Sequence, residues 1–176
     1  MIATKVLSVI TLLLALSACS SFINITRNEP IVEDKSERSL GEIIDDEVIE
    51  TKALVNLRET SPELDQAHLV VVSYNGTVLL AGQVASKDIV QQAGAIVRSL
   101  GEVQTLHNQL TAEPALGFGT RTNDTWITSK LKTQMLADGA IDGGNIKVVT
   151  ENSTVYLLGL INREMATKAA DLARNT

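Results

Sequence analysis

One cysteine, Cys19, stands in 176 residues, so no intrachain disulfide is available and stability must come from packing. Aromatics are scarce too, with one Trp, two Tyr and two Phe, which leaves an aliphatic core of Val, Leu, Ile and Ala. The two histidines, His68 and His107, lie in different elements with no cysteine or second histidine at ligand spacing, so they read as strand-end or edge residues and no metal site is expected. No Gly-x-Ser-x-Gly elbow and no Gly-rich phosphate loop ahead of a helix occurs. An enzyme is therefore not expected, and neither is a cofactor or a nucleic-acid partner. The apolar run Val6 to Leu16 spans 11 residues, too short to cross about 30 Å of hydrocarbon as a helix.

That run ends in Leu16-Ser17-Ala18-Cys19, a lipobox preceded by Lys5 as a minimal positive n-region. It reads as a cleaved lipoprotein signal, residues 1–18, rather than a buried helix, because it has no polar face. The cysteine thiol would become the thioether to diacylglycerol, which makes Cys19 the lipidation site. By analogy with the lipoprotein class, Ser20 in place of a retention aspartate implies sorting to the outer membrane of a Gram-negative cell, facing the periplasm. The four Asn-x-Ser/Thr triplets at Asn24, Asn75, Asn123 and Asn152 carry no weight in such a protein.

Removing residues 1–18 leaves 158 residues, enough for one ordinary domain or two small ones. Residues 20–40 show no sustained period and read, with Cys19, as a tether (19–40). A coil of about 20 residues reaches roughly 25 Å. Charge is uneven along the chain. From Cys19 to Glu113 there are 7 Lys and Arg against 15 Asp and Glu, and from Pro114 to Thr176 there are 7 against 6. Only the second half suits an anionic surface.

An internal repeat organises the remainder. Asn75-Gly76-Thr77-Val78-Leu79-Leu80-Ala81-Gly82 aligns with Asn152-Ser153-Thr154-Val155-Tyr156-Leu157-Leu158-Gly159 at an offset of 77, and Asp46, Ile49, Ala53 and Leu57 align with Asp124, Ile127, Leu131 and Met135 at 78. In each copy an acidic or amide residue (Asp46; Asn123 or Asp124) is expected to cap a helix, with Asp45 and Glu47 as first-turn charges. A hairpin follows, turning at Asn75-Gly76 in the first copy and around Glu151-Asn152-Ser153 in the second. Gly82 and Gly159 end its second strand. Ser86 then caps a second helix and Val103 to Thr111 forms a third strand. The pattern predicts an α+β fold of two tandem αββαβ domains, 41–113 and 122–176, joined by a short linker at 114–121, so that the two should touch. Each is a small mixed sheet packed on two helices. At the same offset the second copy would run to about residue 188, so it is expected to be incomplete, without its last strand, which leaves a fragment, a truncated product or a weakened domain as alternatives.

The acidic residue ahead of the helix, the Asn-Gly hairpin, its glycine and Val103-Gln104-Thr105-Leu106-His107-Asn108 resemble the BON domain. Two copies behind a lipobox, with Gly117 to Thr120 and Asn123-Asp124-Thr125-Trp126-Ile127-Thr128, are similar to the division- and outer-membrane-stress-associated lipid-binding lipoproteins over residues 41–176. The resemblance implies an outer-membrane lipoprotein enriched at division sites and supporting envelope integrity, with anionic phospholipid bound by the first helix of the second domain.

Independently of that resemblance, Trp126 lies about 100° from the stripe Ile127, Leu131 and Met135 and shares a face with Lys130 and Thr133. An indole beside cations suits a membrane interface; the alternative is that Trp126 packs between the domains on Phe118 or Leu116. The resemblance favours lipid, with Trp126, Lys130, Thr133, Ser129, Thr125, Lys132 and Arg121 as contacts. A second reading is a protein adaptor, in which the acidic first domain, through Glu42, Asp45 and Asp46, meets a basic periplasmic envelope protein.

Overall fold

A computed structural model describes residues 38–176, which fall within one compact unit, Asp34–Thr176. The signal peptide, Cys19 and the tether up to residue 37 lie outside the described residues.

The first domain opens with helix α1, Leu40–Thr60. Its cap is Ser39, whose hydroxyl accepts from the Glu42 amide while the Glu42 carboxylate accepts from Ser39 N–H at 2.7 Å, a reciprocal capping box. The expected cap, Asp46, is instead an interior residue of the helix, 2% exposed, and Leu40 belongs to α1 rather than to a tether. The buried stripe Ile49, Ala53 and Leu57 follows the i, i+4, i+8 spacing. The helix stops before Ser61-Pro62, where Ser61 caps the short α2, Pro62–Gln66, with proline at its first position.

Strands β1, His68–Tyr74, and β2, Thr77–Val84, form an antiparallel hairpin, and β3, Thr105–Ala112, joins β2 in parallel after helix α3, Lys87–Arg98. The order β1-β2-β3 places β2 in the centre of a mixed sheet. Asn75 and Gly76 both have positive φ, 50° and 71°, the conformation a type I′ turn requires. Gly82 does not end β2; it lies inside the strand at φ 125°, where a Cβ would stand 1.9 Å from the His68 carbonyl oxygen. Val78, Leu80 and Val84 face the core with Ile49, Ala53, Leu57, Ala93 and Val97. Leu79, Ala81 and Gln83, on the opposite side of β2, are buried as well.

Helix α4, Phe118–Ala137, begins the second domain. It starts inside the segment expected to be linker, so only residues 113–117 connect the domains, and Gly117 caps it without a side-chain bond. A 3₁₀ turn, Gly143–Asn145, leads into the hairpin β4, Ile146–Glu151, and β5, Thr154–Gly159, and helix α5, Arg163–Arg174, follows. Among the described residues this sheet has two antiparallel strands. Its core is Leu131, Met135, Ile141, Ile146, Val148 and Ala169, with Val155, Leu157, Ile161, Met165 and Leu172 packed against it.

The domains touch, as the short connection requires. Lys147 donates to Glu50 at 2.7 Å and to the Ser73 carbonyl at 3.2 Å, and Tyr74 OH donates to the Asn145 carbonyl at 2.8 Å. Glu151, nearly buried, accepts from Gln83 Nε2 at 2.7 Å and stands 3.3 Å from His68 Nε2. His68 is thus the first residue of β1 and an interdomain contact.

Candidate functional site

Each first helix is pinned to its hairpin by an aspartate. Asp46 accepts from Ser73 Oγ at 2.6 Å, Asn75 N–H at 2.8 Å, Gly76 N–H at 3.1 Å and Arg38 Nη1 at 2.9 Å. Burial is the largest influence on its carboxyl and raises its pKa, but the bonds from Ser73, Gly76, Asn75 and Arg38 together outweigh it and hold Asp46 below the ordinary carboxylate range. Arg38 also stacks on Tyr74, 3.9 Å from the ring centroid. Asp124 repeats the arrangement, accepting from Asn152 N–H at 3.0 Å and Ser153 N–H at 2.9 Å. That support explains how a turn without glycine keeps φ at 50° and 59°.

With Asp124, Leu131 and Met135 buried, the outer face of α4 is determined. At about 100° per residue, Ser129, Lys130 and Thr133 lie within roughly 60° of Trp126. Thr125, Lys132 and Arg121 lie about 100°, 120° and 140° round from Trp126, so Lys132 and Arg121 stand on the flank between that face and the buried stripe, both exposed. Trp126 is 57% exposed and Phe118 87%, so the indole is not packed between the domains. Lys130 Nζ sits 5.0 Å from the Trp126 ring centroid and donates to the Thr176 carbonyl at 3.0 Å. Arg121 and Lys132 are exposed and make no ion pair among the described residues. Asp124, the only acid of α4, points inward.

The hydroxyls of this face bond within the helix. Thr122, Thr125, Ser129 and Thr133 donate to the carbonyls of Phe118, Arg121, Thr125 and Ser129 at 2.9–3.0 Å. With its hydrogen given to a carbonyl, each hydroxyl has only acceptor capacity left, and donating to a phosphate requires exchanging the intrahelical bond. Around the inner edge, Arg121, Thr125, Thr128 and Ser129 line a cleft of about 320 Å³ with His68, Val148 and Glu151. Phe118 and Leu136 were not among the expected contacts. Both are strongly exposed, and 18 residues apart they share an azimuth about 27 Å apart along the axis, with Trp126 between them in height and about 80° round. Their signal was the repeat itself, since Phe118 stands 78 residues after Leu40, the first residue of α1.

A family model described as BON domain matches residues 45–114 and 123–176. The chain is 35% identical over 136 residues to the outer membrane lipoprotein DolP of Haemophilus influenzae, covering 77% of this chain and 70% of that protein. It is 34% identical over 138 residues to a 21 kDa hemolysin of Actinobacillus pleuropneumoniae, with coverage of 78% and 71%. Identity is 24% over 140 residues with the osmotically-inducible protein Y of Escherichia coli, with coverage of 78% and 69%.

Proposed function

We propose that this chain, which belongs to the BON-domain family and is an outer-membrane lipoprotein with two BON domains, binds anionic phospholipid through the outer face of α4. The reading has the protein anchored by acyl chains on Cys19, facing the periplasm, and acting without catalysis in envelope integrity at division sites. The observation that carries it is the composition of one exposed helical side: Phe118, Trp126 and Leu136 with Lys130, flanked by the exposed Arg121 and Lys132, and with the helix's only acid turned inward. A helix of this kind lies in the interface plane, its indole at headgroup depth and its cations over lipid phosphates. Three cations at about 1 kcal/mol each provide up to a roughly 100-fold preference for anionic over zwitterionic surfaces. Acyl anchoring raises the effective concentration of the face at the membrane, so modest affinity suffices to choose where the protein resides.

The test is co-sedimentation of the chain from Ser20, which carries the whole compact unit, with phosphatidylglycerol and phosphatidylcholine vesicles. Binding selective for phosphatidylglycerol, weakened by salt and by Trp126→Ala, supports the reading. Equal binding to both vesicle types overturns it.

A further inference from the structure

The outer face of α1 carries an apolar row that nothing among the described residues covers. Leu40, Ile44, Val48 and Val55 are 79%, 61%, 40% and 52% exposed, and with Thr51 they lie within about 40° of one line down the helix. The row is about 22 Å long. Glu47 and Glu59 flank it about 60° to either side and Asp45 stands about 100° round; none of the three makes an ion pair among the described residues, while Lys52 is held by Glu102. Arg58, at the far end and about 40° from the line, is a cation free of an ion pair among those residues. Helix α1 as a whole has six acids and two bases.

The repeat makes the contrast with domain 2 direct. At the offset of 78, Leu40, Ile44, Val48, Thr51 and Val55 correspond to Phe118, Thr122, Trp126, Ser129 and Thr133. The same azimuth of the same helix therefore carries an indole, hydroxyls and nearby cations in one domain, and aliphatics rimmed by carboxylates in the other. Carboxylates at this density are repelled by an anionic leaflet, so the α1 row is not a second lipid face. Pairing two α1 helices from two copies sets like charges against each other. A single ridge at i, i+4 spacing fits the groove between side-chain rows of another helix better than a flat sheet.

We infer that this face docks an amphipathic helix of a protein partner, one with an apolar stripe flanked by Lys or Arg. The apolar row provides the buried contact, and Glu47 and Glu59, on opposite flanks, select a basic rim and orient it.

The first test titrates the chain from Ser20, without lipid, with an 18-residue helical peptide bearing a Leu stripe flanked by Lys, and with its Leu/Glu counterpart, followed by amide NMR shifts and fluorescence anisotropy. Expected are shifts centred on Ile44, Val48, Thr51 and Val55, at least tenfold weaker binding of the Glu peptide, and at least tenfold loss in I44S/V48S, whose exposed positions leave the melting curve unchanged. Trp126→Ala leaves this binding intact while lowering vesicle binding, so failure here is distinguishable from failure of the lipid reading. Equal binding of the two peptides, shifts centred on α4, or unaltered binding by a folded I44S/V48S overturns the inference. The second test places a photo-crosslinker at Val48 in the acylated protein in cells. An adduct with a different protein whose linked peptide is a Lys- or Arg-flanked helix supports it. An adduct of twice the chain's mass, a crosslink within the chain to residues 20–37, a lipid adduct or no adduct overturns it.

Discussion

Replacing Asp46 by alanine takes the acceptor away from Ser73 Oγ and from the amides of Asn75 and Gly76 at once, and removes the partner of Arg38. Ser73 and Gly76 are buried, so water cannot readily replace the lost carboxylate; Asn75 is only half-buried. An unsatisfied buried donor costs about 1–3 kcal/mol, and with partial hydration at Asn75 the sum is about 4 kcal/mol. For a domain of this size that lowers Tm by on the order of 20 °C. Asp46→Asn keeps one acceptor oxygen and loses about 1–2 kcal/mol. Asp46→Ser discriminates between the two roles an aspartate can have here. As a helix cap, serine would replace aspartate at little cost; as a hairpin latch it is too short to reach the turn, and the loss matches alanine. The folded Asp46 carboxyl titrates below its unfolded value. Its stabilisation is therefore complete above the unfolded carboxylate pKa of about 3.9 and is lost as pH falls through the lower folded value. Urea unfolding followed by circular dichroism at pH 6 and at pH 3 and below should show the gap between the native chain and Asp46→Asn narrowing as pH falls. An Asp46→Ser protein as stable as the native chain, or a gap that widens at low pH, would refute the latch.

Arg121→Gln with Lys132→Gln should weaken binding to phosphatidylglycerol vesicles by roughly 30-fold at low salt, at about 1 kcal/mol per cation, and leave phosphatidylcholine binding unchanged; identical isotherms would remove these residues from the face. Gly82→Ala forces a Cβ against the His68 carbonyl at a φ only glycine adopts easily, and a loss above about 3 kcal/mol in urea unfolding is expected. A native midpoint would mean that β1 and β2 separate locally without penalty. At the domain contact, Gln83 Oε1 is buried without a hydrogen-bond partner. Glu151→Gln retains an acceptor for Gln83 Nε2 and adds a donor for that oxygen, so calorimetry should find it within about 0.5 kcal/mol of the native chain, against a loss of about 1–3 kcal/mol for Glu151→Ala; equal losses would exclude a paired-amide contact.

The helices, the Asn75-Gly76 turn and the buried stripes were legible because each is a local pattern: a spacing of 3.6 for Ile49, Ala53 and Leu57, and positive φ tolerated by Asn-Gly. The roles of Asp46 and Asp124 were not. An aspartate just ahead of an apolar helical stripe reads equally as a cap or as an interior acceptor, and only the hairpin 28 to 30 residues later, folded back onto the helix, distinguishes them. The glycines around Phe118 resembled linker because a cap without side-chain bonds leaves no signature in sequence.

The sequence by itself determined the two-copy architecture, the charge contrast between the halves and the grouping of Trp126 with Lys130 and Thr133, since repeat offset and helical pitch are properties of the chain alone. Tertiary structure decided which faces remain open. Leu79, Ala81 and even the polar Gln83 are buried on the side of β2 that faces the second domain, whereas the aliphatic Leu40, Ile44 and Val48 stay exposed. Burial depends on what another part of the fold brings to a surface, and no local period encodes that.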